Sequence, residues 1–138
     1  MTRLQDDQIN DVLVKYMRIL LIIGSLFAAL SVLLGAFGAH ALKNRLSIED
    51  LAIFEIAVRY QMYHALGLLF MGVASFYLTE KLVSIPAYFM ILGIIIFSGS
   101  LLLLVFTNLR WFGAITPIGG FCLIIGWLLL AYNIYFYA

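Results

Sequence analysis

Two histidines, His40 and His64, are the only imidazoles in the chain, and each sits where an apolar run meets polar residues. His40 lies near the end of "LLGAFGAHAL" (residues 33–42), and His64 closes "YQMYH" (residues 60–64). Helical spacing puts Tyr60 and Gln61 on the turn before His64. With His40 ending one helix and His64 beginning the next, both are expected near the same membrane face. Facing imidazoles could serve as the axial ligands of a haem in a helical bundle. The cluster His40, Tyr60, Gln61 and His64 could equally line a pocket for quinone or a lipid headgroup. A zinc or copper site needs three or four ligands. Neither Cys122, in the middle of the last apolar run, nor a third histidine is placed to complete one, so no metal site is expected. A proton relay calls for acidic or further histidine side chains inside the spans. The plainest reading has both rings bonded to backbone carbonyls, to Tyr60, Gln61 or the loop, fixing the first helix connection.

Composition says what must position these groups. The chain is 65% hydrophobic and 11% charged, whereas soluble domains are about 45–50% apolar and about 25% charged. A water-soluble globule of this make-up would aggregate, so one small membrane-embedded domain is expected, with the lipid bilayer as its first partner. Net charge is +1, with no basic or acidic block, which argues against nucleic acid. A single cysteine rules out a disulfide within one chain.

Four runs, about 19–39, 62–79, 86–106 and 111–132, are long and apolar enough to span and hold no charged side chain. Backbone groups in hydrocarbon must satisfy themselves, so these runs are expected to be helices. The expected fold is all-α: an antiparallel bundle of four transmembrane helices in residues 18–138, after an amphipathic leader in residues 1–17. In that leader Thr2 and Gln5 form a capping box, and Ile9, Val12, Leu13 and Tyr16 recur at helical spacing. The first run is too long for a signal-peptide core. Between spans 1 and 2, Ser47 and Asp50 again suggest a cap. Leu51, Phe54 and Val58 form a stripe there, and Glu55 and Arg59 an interfacial i,i+4 ion pair. This stretch is expected to be a helix in the membrane interface that leads into span 2. Ser84 is expected to cap span 3, with Pro86 in its first turn. Arginine and lysine divide four to four between the two sides, so charge does not decide orientation.

Small residues mark the expected packing faces. Ser31, Gly35 and Ala39 follow at i,i+4, with Gly38 beside them, so a neighbouring backbone can come close. Ser98 and Gly99, in "FSGS", suggest a helix–helix contact. Span 4 opens with "WFGAITPIGG" (residues 111–120), where Pro117 is expected to kink the helix and Gly119 and Gly120 to allow close approach. The two halves show no repeat.

Four blocks in order, "LGAFGAHAL", "YQMYHALGL", "FSGS" and "TPIGG", closely resemble a family of small four-helix membrane proteins. It is the domain-of-unknown-function family 423, which includes relatives of eukaryotic transmembrane protein 256. The resemblance covers about residues 17–132 and implies four helices in a bacterial plasma membrane or a mitochondrial inner membrane. It marks Gly35, Gly38, His40, Tyr60, Gln61, His64, Ser98, Gly99, Pro117 and Gly119 as matching the family signature and implies no role for any of them. The leader and the aromatic C-terminus depart from the family's pattern. With no complete catalytic set, the chain is expected to be a non-enzymatic membrane protein acting through protein or lipid contacts. An accessory subunit of a larger, respiratory-type inner-membrane complex, or a homo-oligomer, fits that expectation. The alternatives are a protein holding haem or quinone near His40 and His64, and a small oligomeric channel or transporter built around the span 4 kink.

Overall fold

The computed structural model describes residues 2–137, with side chains from residue 14 onward apart from that of residue 80. The chain folds as four α-helices: α1 (Thr2–Phe37), α2 (Ile48–Ala74), α3 (Glu80–Thr107) and α4 (Thr116–Tyr137). A π turn, Gly38–Leu42, ends α1, and a 3-10 turn, Arg110–Ala114, leads into α4. Three segments are long and apolar enough to cross a membrane: Val14–Leu42, Lys81–Thr107 and Arg110–Tyr137. The remaining helix, α2, has the length but carries Glu49, Asp50, Glu55 and Arg59 in its first half.

Neither extra helix is a separate element. α1 runs unbroken for 36 residues, so the boundary expected at residues 17 and 18 falls inside it. No glycine or proline precedes Gly24, and nothing else interrupts the i→i−4 ladder there. The Thr2–Gln5 capping box and the stripe through Ile9, Val12 and Leu13 lie outside the described side chains. The expected interfacial helix is likewise the first half of α2. Its cap is present, with Ser47 Oγ accepting from the Asp50 amide at 3.0 Å and donating to the Asp50 carboxylate at 2.9 Å.

Both prolines sit differently from the sequence expectation. α3 starts at Glu80, a turn before Ser84, so Ser84 is no cap and Pro86 lies inside the helix. A proline there cannot bond the carbonyl four residues back, which is that of Leu82. Asn133 of α4 fills the gap: its Nδ2 donates to the Leu82 carbonyl at 2.8 Å. Pro117 is the second residue of α4, so it does not kink a helix. Its missing N–H falls among those a first turn leaves unpaired anyway. The reversal between α3 and α4 is made by Asn108, whose φ of 57° ends α3. Asparagine adopts this left-handed conformation more readily than most residues.

The pairings run antiparallel throughout. Gly38 meets Phe54 and Gly24 meets Ala65 across α1 and α2. Phe54 meets Phe106 and Ala57 meets Ser98 across α2 and α3. Phe97 meets Gly119 and Pro86 meets Gly126 across α3 and α4. Each helix packs on its chain neighbours, and α1 reaches α3 only slightly. One core holds Leu20, Leu68, Met71, Met90, Ile94 and Leu123. A smaller one, at the end bearing the π turn, holds Leu42, Phe54, Leu104 and Val105.

Candidate functional site

Between the two apolar cores lies a layer of polar side chains contributed by every helix. Ser31 Oγ and Gln61 Nε2 both donate to the Phe27 carbonyl, at 2.9 and 3.2 Å. Ser98 Oγ donates to the Ala57 carbonyl at 2.8 Å, joining α3 to α2. Ser100 Oγ lies 2.8 Å from Thr116 Oγ1, joining α3 to α4. Ser31, Gln61, Ser98 and Ser100 are buried, and among the described residues no buried side-chain nitrogen or oxygen lacks a hydrogen-bond partner. Bonds of this kind hold helices together where lipid offers no competing water.

His64 belongs to this region and His40 does not. His64 Nδ1 stands 2.7 Å from the Tyr60 carbonyl. A carbonyl only accepts, so Nδ1 carries the hydrogen and Nε2 is left with its lone pair. The ring stacks at 6.0 Å on Tyr60 and lies 6.2 Å from Trp127 of α4. Tyr60 in turn packs 4.9 Å from Phe97 of α3. Gln61, one residue on, faces α1 instead, so the expected polar cluster is divided between two seams.

The separation of the histidines is a correction. A methyl group on Gly24 would come within 3.0 Å of the Ala65 carbonyl, so His64 is level with the middle of α1. His40, exposed in the π turn, lies about 24 Å further along, at about 1.5 Å per residue. Two nitrogens on one metal ion sit within about 4 Å of each other, so His40 and His64 do not form an axial pair. Pro117 stands in the first turn of α4, where the 3-10 turn gives way to α-helix within the span Arg110–Tyr137. Among the described residues no three His, Cys, Asp or Glu side chains gather.

The small-residue ridge of α1 has two characters. Gly38 is a close contact, since a methyl there would meet the Phe54 ring at 2.6 Å. Gly35 is not, its nearest neighbour in the same test being Val58 at 3.8 Å. Between the tight crossing at Gly24 and the Gly38–Phe54 contact the two helices leave an open groove of about 350 Å³. Ser31, Gly35, Gly38 and Ala39 line one wall, and Phe54, Val58, Met62 and Tyr63 the other. Glu55 and Arg59 stand at its rim, 3.9 Å apart and each more than half exposed. A methyl group on Gly99, by contrast, would meet nothing within 4 Å, whereas one on Gly119 would run into the Phe97 backbone and one on Gly120 would lie an ordinary 3.7 Å from the Phe97 ring.

Two contacts have no local sequence signal. Arg110 Nη1 reaches Asp50 Oδ1 at 2.7 Å across sixty positions. With the Ser47 hydroxyl, that guanidinium holds the Asp50 carboxyl below the usual carboxylate range. Asn133 was the other: an amide in an apolar run is its only trace, and Pro86 supplies the reason.

The family model described as "Protein of unknown function (DUF423)" matches residues 34–120, which hold Gly119 and, apart from Phe27 and Ser31, the groove and the polar layer. A UPF0382 membrane protein of Staphylococcus saprophyticus is 48% identical over 114 residues, covering 83% of this chain and 94% of the relative. A UPF0382 membrane protein of Staphylococcus haemolyticus is 47% identical over the same length, covering 83% and 93%. One from Bacillus subtilis is 40% identical over 119 residues, covering 83% and 94%. No solved structure matches the chain. The spans and the bacterial relatives together fit a bacterial inner membrane. The chain belongs to the DUF423 family of membrane proteins.

Proposed function

We propose that the chain is a non-enzymatic membrane protein that acts through contacts with other membrane proteins, as an accessory subunit of a larger inner-membrane assembly. The observation that carries this reading is the outer face of α1. Only 17% of its apolar span is buried within the chain, against 39% for α3. In lipid, association comes from close packing and polar bonds rather than from the hydrophobic effect, and of the three apolar spans α1 is the least covered. The interior polar groups support the same reading, because Gln61, Ser98, Ser100 and Asn133 spend hydrogen bonds on joining helices. Four spans are part of the proposal. α2 lies antiparallel between α1 and α3 along its length, and a helix so held crosses the bilayer with its neighbours.

The test is the native mass of the protein in gently solubilised membranes, with mass spectrometry of the band. The expected result is a band heavier than a homodimer that contains a second membrane protein. A band of this chain alone removes the accessory role.

A further inference from the structure

The groove between α1 and α2 is a concave feature of the apolar surface that also carries charge. Its floor is closed where Phe54 packs on Gly38. Its walls are apolar from Ala39 down to Met62 and Tyr63, and its rim holds one carboxylate and one guanidinium, Glu55 and Arg59. Three features decide what fits. The first is width: a helix with its side chains is about 10–12 Å across, too thick to enter about 350 Å³ between two helices, whereas a single hydrocarbon chain is not. The second is charge. The rim sums to zero but is split, so it complements a headgroup that carries both a phosphate and an ammonium, and it gains less from a purely anionic one. The third is depth. Glu55 follows Phe54 directly and Arg59 lies five residues on, and Phe54 packs on Phe106 at the end of α3. The charges therefore lie near the boundary of the hydrocarbon, where a long arginine side chain reaches the interface.

From these we infer that the α1–α2 groove holds one acyl chain of a zwitterionic phospholipid with a primary ammonium, its phosphate on Arg59 and its ammonium on Glu55. Gly35 is the residue that makes room for it. A side chain there finds open space instead of backbone, so the glycine serves the groove and not the α1–α2 contact. The inference rests on the membrane placement but not on the accessory role, and the experiment below leaves that role untouched.

The test is native mass spectrometry of the full chain released from detergent, after incubation with equal amounts of phosphatidylethanolamine, phosphatidylglycerol and phosphatidylcholine of matched chain length. The expected spectrum shows the phosphatidylethanolamine adduct several-fold above the other two. Glu55→Gln should remove that preference while leaving phosphatidylglycerol bound, and Arg59→Gln should lower all three adducts. Gly35→Leu should abolish the adduct with helicity and thermal midpoint unchanged, and Ala39→Leu serves in its place if Gly35→Leu does not fold. Equal adducts of the three lipids on the unaltered chain overturn the proposal. So does an adduct that survives in a folded, groove-filled variant, or a lipid-free dimer that the same variant splits, which would make a second copy the occupant.

Discussion

The α1–α2 seam and the α3–α4 seam are both built on glycine, and they use it in opposite ways. In the α3–α4 seam Gly119 and Gly126 lie against backbone, that of Phe97 and of Pro86. There the missing side chain brings two helices together, and polar bonds at each end, Ser100–Thr116 and Asn133–Leu82, fasten the register. In the α1–α2 seam only Gly24 is closed in this way, against the Ala65 carbonyl, while Gly72 and Gly38 meet the side chains of Leu21 and Phe54. Toward the π turn the missing side chain of Gly35 leaves a space. A small-residue pattern thus marks either contact or vacancy, and only the partner across the seam says which.

The sharpest way to break this contrast is to fill both seams. Gly119→Val should cost about 3 kcal/mol or prevent folding, because overpacking against a backbone that cannot move is at the upper end of such effects. Gly35→Ala should stay within about 0.5 kcal/mol, as surface changes do. Thermal unfolding in detergent measures both, and equal losses would end the distinction.

The fastening of the closed seam comes next in size. Asn133→Leu leaves the Leu82 carbonyl without its partner, at an expected cost of about 1 kcal/mol. Adding Pro86→Ala returns an N–H to that carbonyl, so the double variant should recover most of the loss in a double-mutant cycle. Additive losses would show that the two residues are not linked.

The smallest effect belongs to the ion pair that ties the start of α2 to the turn before α4. Asp50 has its folded-state pKa lowered by Arg110 and then by Ser47. Its contribution is therefore present above the ordinary carboxylate value, about 3.9, and is lost as pH falls through the lowered folded value. Asp50→Asn should melt slightly below the unaltered chain at neutral pH, and the two should converge in acid. A gap that persists at about pH 2 would assign the effect to something other than the carboxylate charge.

Much of this architecture was legible in the sequence, for reasons that differ by element. Runs such as that of α3 must be helical because hydrocarbon leaves the backbone no other partner, and the Ser47 cap follows from local chemistry. The ends of α1 and α2 were not legible. Amphipathic and apolar stretches differ in composition, but a composition change does not stop a helix when no proline or glycine interrupts the ladder. The histidine pairing failed for a related reason: with α2 beginning at Ile48, His64 lies well inside the helix instead of at its start. Arg110–Asp50 and Asn133–Leu82 join positions far apart in the chain, and such pairs become readable only when the register is known.

The length of α1 has a mechanical consequence. At about 1.5 Å per residue its 36 residues reach about 54 Å, against a hydrocarbon thickness of about 30 Å. With no break between Thr2 and Phe37, a helix that overruns the hydrocarbon either tilts or carries its surplus turns beyond it.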